Sequence, residues 1–113
     1  MQKTMNKDLQ QCAKECLDCF QICSETFYQH CLVQGGEHTE PKHFKLMQDC
    51  INICRTSAEF LLRGSENHKA TCRACAEICQ KCADDCARFN DPQMKACADA
   101  CRKCAEMCKQ MSQ

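Results

Sequence analysis

Cys75-Ala-Glu-Ile-Cys79-Gln-Lys-Cys82-Ala-Asp-Asp-Cys86 is the stretch that decides the fold. Its cysteines are separated by steps of 4, 3 and 4. That alternation marks one face of a helix, the a/d seam of a heptad, whereas a strand would need steps of two. The same C-x3-C-x2-C-x3-C template recurs at Cys12, Cys16, Cys19 and Cys23, and again at Cys97, Cys101, Cys104 and Cys108. A fourth copy begins at Cys50 and Cys54 and continues in phase with Ser57 and Leu61, so its second half should contribute few thiols. Cys31 and Cys72 complete a set of 16 cysteines. Four copies of a one-faced helix have to bury those faces against one another.

The punctuation between the copies agrees. Gly35-Gly36 ends the first helix, and Pro41 stands where a first-turn proline opens the second. Gly64-Ser65 reads as a C-terminal cap followed by an N-cap, and Asn90-Asp91-Pro92 as a turn in which Asp91 caps the last helix. The expected helices are 4–33, 41–63, 66–89 and 92–111. Helices of about 20 residues run ~30 Å, and short connections make neighbours antiparallel. The expected fold class is all-α, an antiparallel up-down-up-down four-helix bundle with a cysteine-lined core, forming a single domain over residues 1–113.

Composition narrows the function. Lys+Arg and Asp+Glu are 15 each, and this zero net charge removes the electrostatic case for nucleic acid or a polybasic membrane contact. No stretch approaches the roughly 18 consecutive apolar residues of a membrane span. The start, Met1-Gln-Lys-Thr-Met-Asn-Lys-Asp8, lacks the apolar run of a secretory signal. The expected location is therefore cytoplasmic, where thiols stay reduced. Leu, Ile, Val and Phe together number only 16 of 113 residues, so without its cysteines the chain hardly has a core.

Burying a Leu side chain is worth roughly 2 kcal/mol and a Cys less, so a seam filled with Cys gives up packing for thiol chemistry. Disulfides fit poorly. Thiols at i and i+4 on one helix have Cβ atoms ~5–6 Å apart, against the ~3.8 Å a disulfide requires. Soft thiolates suit Cu(I), Zn(II) and iron–sulfur clusters. Zinc favours tetrahedral sets from paired C-x2-C knuckles, and iron–sulfur cysteines come as tight loop runs. A continuous helical stripe is expected to offer neither. It offers a column of sulfurs suited to a monocation that takes two or three ligands and shares them with its neighbour. Charge agrees: 16 thiolates around four Zn(II) would leave eight negative charges in a dry core, whereas about sixteen Cu(I) ions would leave none. The expected cofactor is Cu(I), as multiple ions, with all sixteen cysteines as ligands. An iron–sulfur or zinc-binding protein, as electron carrier or zinc store, is the alternative.

With these repeats spanning roughly residues 5 to 111, the chain resembles the bacterial copper storage proteins, a cysteine-rich four-helix-bundle family. The resemblance implies Cu(I) storage along the bundle interior at about one ion per cysteine, usually in an oligomer. The missing signal resembles the cytosolic branch. His30-Cys31, near the end of the first helix, resembles the His/Met entrance of that family. Expected partners are copper ions, a copper chaperone that exchanges them, and further copies of the chain in a tetramer or dimer, with no nucleic acid and no membrane.

Extending the heptads backwards gives Met47 and His43 ahead of Cys50, and Met94 ahead of Cys97. In an up-down-up-down bundle these meet His30, Cys31 and His38 at one end. Imidazole and thioether bind Cu(I) without losing a proton and suit a mouth that passes ions inward, so His43, Met47 and His30 are expected as entrance ligands. The opposite end gathers Met5, Leu9, Leu61, Leu62, His68, Met107 and Met111, whose leucines suggest an apolar plug. His68 is there either a terminal ligand or a capping-turn residue. Leu17, Phe20, Phe27, Phe44, Ile51, Ile53 and Phe60 either form an oligomer interface or pack beside the seam. Lys14, Glu15, Glu77, Lys81, Asp84, Asp85, Arg102 and Lys103 read as solvated outer faces. Nothing singles out one reactive cysteine with a resolving partner, and no catalytic triad, carboxylate pair or phosphate loop is present. The expectation is a protein that is not an enzyme.

Overall fold

The computed structural model describes residues 6–113. Helix α1 (Lys7–Thr26) starts where the Asn6 side chain accepts the amides of Asp8 and Leu9 at 2.9 and 3.2 Å. This cap opens the helix at residue 7; the expected start at residue 4 lies outside the described residues. The helix continues through a π-helical turn, Phe27–Cys31, and a last turn, Leu32–Gln34. A 3-10 turn, Gly36–Thr39, leads into α2 (Pro41–Leu62), with Pro41 in its first turn as expected. Helices α3 (His68–Cys86) and α4 (Pro92–Met111) complete the chain. The described residues contain no strand.

Gly64 closes α2 with φ +63°, a left-handed conformation that glycine adopts without strain. Helix α3 begins two residues later than the sequence implied, because Ser65 spends its groups on a turn. Its hydroxyl accepts the Asn67 amide at 3.0 Å, and its carbonyl accepts the His68 amide and ring Nδ1–H at 3.2 and 2.8 Å. The same helix stops at Cys86, not 89. Turn hydrogen bonds from the Arg88 and Phe89 amides to Asp85 and Cys86 then fold Phe89 back into the core. Asp91 caps α4 as the sequence indicated, accepting the Met94 amide at 2.9 Å.

Helices α1 and α3 each pack against α2 and α4, giving the up-down-up-down square. All sixteen cysteines lie at its centre with no solvent exposure. Buried beside them are Ala13, Ala58, Ala83, Ala98 and Ala105, each directly following a seam residue: Cys12, Ser57, Cys82, Cys97 and Cys104. Interaxial distance follows the size of the side chains at the contact, so these alanines let four backbones approach until sulfurs from different helices touch.

Register in α1 has one irregularity. Cys31 stands eight residues after Cys23, and continuing the 4–3 alternation would turn residue 30 inward instead. The π turn accommodates one extra residue per turn. It rotates Cys31 into the core and leaves His30 half-buried at the rim.

The residues flanking the seams divide. Phe27 and Ile51 are buried, Phe20, Ile53 and Phe60 are half-buried, and Leu17 and Phe44 are exposed. At the end remote from His43, Leu61 is buried while Leu9, Met107 and Met111 pack partly against the core. Leu62 is 62% exposed and takes no part in a plug, since one helical step from Leu61 turns it towards solvent. Met5 lies outside the described residues.

Phe27 is one of the few large apolar side chains in this interior and meets Phe44 edge-on, with ring centroids 4.7 Å apart. Phe27→Ala is expected to lower the unfolding free energy by about 3–5 kcal/mol. Leu62→Ala should stay within about 0.5 kcal/mol. Urea denaturation of the reduced, metal-free protein measures both, and equal effects would contradict this division of core and surface.

Candidate metal centre

Sulfurs from all four helices interdigitate along the bundle axis. At the remote end Cys12 lies 3.8 Å from Cys108, and the Ser57 hydroxyl sits 3.6 Å from the Cys72 sulfur. Moving inward, Cys16 is 3.4 Å from Cys108 and 3.8 Å from Cys104, and Cys54 is 3.4 Å from Cys79. Cys23 then lies 3.5 Å from both Cys97 and Cys101, and Cys50 is 3.7 Å from Cys79. Next towards the mouth, the Met47 thioether stands 3.5 Å from Cys82 and 3.6 Å from Cys86. All sixteen cysteines are free thiols, and these separations far exceed the ~2.05 Å of a disulfide bond.

One expectation needs correction. A helical stripe was expected to give no four-sulfur sites, yet neighbouring stripes create them together. The sulfurs of Cys16, Cys75, Cys104 and Cys108 lie within 4.8 Å of one another, as do those of Cys19, Cys50, Cys54 and Cys79. Cys19, Cys23, Cys50 and Cys101 form a third such group, and Cys54, Cys75, Cys79 and Cys104 a fourth. These groups share corners, so filling one takes ligands from the next. The arrangement is a continuous lattice of shared donors. Ser57 and Leu61 interrupt it on α2, as the sequence indicated.

Protons are shared through the same lattice. Hydrogen bonds from Cys104, Cys108 and Cys12 bring the Cys16 thiol down to about 6. Cys108 and Cys12 bring Cys72 down to about 3. Other thiols move the opposite way: Cys101, hydrogen-bonded to Cys19, Cys23 and Cys50, is pushed well above its ordinary value. Cys31, set apart near the mouth, is pushed up to about 12, first by burial and then by the negative charge of Cys97 and Asp91.

The His43 end of the bundle brings together the side chains that the heptads placed there. Met47, Met94 and His43 are buried. Cys31 is 3.6 Å from His43 Nε2 and 3.7 Å from the Met94 sulfur. His43 Nδ1–H donates to Asp85 Oδ2 at 2.6 Å, and Arg88 holds the other carboxylate oxygen at 2.8 Å. This carboxylate fixes the ring so that Nε2 faces the sulfur. Asp85 is thus no solvated surface residue: its side chain is 10% exposed and anchors the His43 imidazole. The available signal was its place on the flank of the seam, between Cys82 and Cys86, opposite an antiparallel His43.

His30 does not reach the sulfur column. With His38 it points to Asp91, at 3.1 and 2.8 Å. Phe89 lies between these rings and His43, with centroids 4.4 Å from His38 and 5.0 Å from His43. Phe89 and the second role of Asp91 were not read from the sequence, because both depend on a turn folding over the bundle end. His68, at the other end, is a capping-turn histidine bound to the Ser65 carbonyl.

Known proteins share this fold. The sequence pattern of the copper storage protein family (Csp) matches residues 5–113. A protein of Nitrosospira multiformis with a crystal structure is 40% identical, covering 94% of this chain and 95% of that one, with a TM-score of 0.90. The Cu(I)-bound copper storage protein BsCsp3 is 30% identical over 94% of this chain and 99% of its own, with a TM-score of 0.87. A cytosolic copper storage protein of Streptomyces lividans, solved during copper loading with five coppers, is 30% identical over 94% and 92%, with a TM-score of 0.80.

The raised Cys31 pKa fixes a sign for the metal-free protein. The folded state holds this proton up to about 12, whereas the unfolded chain releases it near the ordinary 9.0. The resulting stabilisation is complete below pH 9 and is lost as pH rises towards 12. Urea midpoints of the wild type should therefore fall more steeply over this window than those of Cys31→Ala. Parallel curves would contradict the assignment.

Proposed function

The chain belongs to the copper storage protein family, and from that premise we propose that it takes up Cu(I) at the His43 end and stores about one ion per cysteine along the bundle axis. It binds multiple Cu(I) ions through the thiolates of its core. The observation that carries this reading is the complete burial of sixteen mutually adjacent sulfurs. A protonated thiol and a Cu(I) thiolate are both neutral. Each ion that replaces a thiol proton therefore leaves the charge of the dry interior unchanged, from the first ion to the last. A divalent ion has no such stepwise balance in a lattice of shared donors, and filling every sulfur with tetrahedral zinc would strand negative charge.

The supply route follows from ligand strength. His43 and Met47 accept an ion without deprotonating and stand beside thiols that hold it more firmly as thiolates. Asp85 keeps His43 aimed at Cys31 throughout. The chemistry is capture and release, and the protein is not an enzyme. No helix among the described residues is long and apolar enough to cross a membrane. The location proposed is the cytoplasm, where Cu(I) and reduced thiols coexist, and the partner proposed for exchange is a copper chaperone. The exposed side chains of Leu17, Tyr28, Leu32, Val33 and Phe44 support a homo-oligomer.

Anaerobic Cu(I) titration against a competing chelator should saturate near the number of cysteines and release about one proton per ion in weakly buffered solution. Saturation at four ions or fewer would overturn storage on the full column. Replacing His43 and Met47 together by alanine should slow loading several-fold while capacity stays nearly unchanged. A matching loss of capacity would contradict the entrance role.

A further inference from the structure

Outside the sulfur column, three metal-ligating side chains from three separate segments converge at the rim of the mouth. His30 comes from the π turn after α1, His38 from the 3-10 turn and Asp91 from the cap of α4. We propose that His30, His38 and Asp91 form an outer site for one divalent transition-metal ion such as Zn(II). His30 Nε2 lies 3.1 Å from one carboxylate oxygen and His38 Nε2 lies 2.8 Å from the other. The two rings stand nearly perpendicular, at 85°, with centroids 5.3 Å apart, so both nitrogens converge on the same carboxylate.

A bound ion holds imidazole nitrogen at about 2.0–2.1 Å and carboxylate oxygen at about 2.0–2.2 Å. Adjacent donors on that ion therefore stand ~3 Å apart, which is already the spacing of each imidazole nitrogen from its carboxylate oxygen here. The ion takes the place now bridged by hydrogen bonds. Neutral imidazoles shift their protons to Nδ1 to free Nε2, and charged ones release a proton each.

The donor set is two nitrogens and a carboxylate, harder than anything inside the bundle. Such ligands suit Zn(II) and its neighbours, whereas thiolate and thioether suit Cu(I). The carboxylate also supplies negative charge where the side chains of His30, His38 and Asp91 retain 22, 17 and 29% exposure, so an ion and its remaining waters reach the site from solvent. The Phe89 ring packs against both His38 and His43, so an apolar ring adjoins the outer donors on the side of the Cu(I) route. An ion at this position ties together the three segments that ring the mouth.

Co(II) provides the test, because its thiolate complexes show intense charge-transfer absorption and its nitrogen–oxygen complexes only weak visible bands. The full chain, first saturated with Cu(I) so that its thiols are occupied, is titrated anaerobically with Co(II). The expected result is one equivalent per chain with weak bands alone, displaced by Zn(II). Asp91→Asn keeps a competent helix cap and should weaken Co(II) binding by more than about tenfold. His38→Ala should do the same, and His68→Ala should leave binding unchanged. Failure of the wild type to bind, intense sulfur-to-cobalt absorption, or unchanged affinity in Asp91→Asn would overturn the proposal. Copper capacity measured in the same samples reports separately on the storage reading.

Discussion

Sixteen sulfurs in a dry interior are tolerable only while that interior stays close to neutral, and the rest of the molecule follows from this constraint. Among the described residues, the Lys, Arg, Asp and Glu side chains lie outside the sulfur column, and the core is filled by thiols, alanines, a few larger apolar groups and the uncharged hydroxyls of Thr26 and Ser57, with His43 at one end. Thiols within 4 Å of one another share protons, so individual groups move strongly up or down according to which neighbour they are bonded to. Monovalent copper can replace those hydrogens one for one. Packing, acid–base behaviour and cargo are therefore aspects of a single electrostatic balance.

Geometry serves the balance. Alanine beside the seam cysteines brings four helices close enough for sulfurs on different helices to approach within 3.4–4.0 Å. A larger residue at those positions would separate the stripes into isolated columns. Because the groups share corners, an ion at one level has ligands waiting at the next, and movement along the axis needs no large rearrangement of the backbone.

The mouth solves a different problem. On the proposed route an ion leaves weak ligands for strong ones, from the His43 imidazole and the Met47 thioether to the thiols. The π turn in α1 sets this route apart from the rim. It turns Cys31 inward to His43 and Met94 and displaces His30 outward to Asp91. One extra residue in a helix thus separates an inner from an outer set of metal donors.

The sequence by itself determined the four helices, their antiparallel order and the inward direction of the cysteines, because the 4–3 spacing is a property of each helix face alone. It also placed Met47, His43 and Met94 on the seam by extending the same period. Only the tertiary structure decided which sulfurs form common groups, since that depends on the relative height of four stripes. It likewise made Asp85 an anchor for His43, Asp91 a shared acceptor for two histidines and Phe89 a wedge between them. These roles arise where turns cross the open end of the bundle. There no helical period constrains side-chain direction, and hydrogen bonds between segments distant in the chain determine it instead.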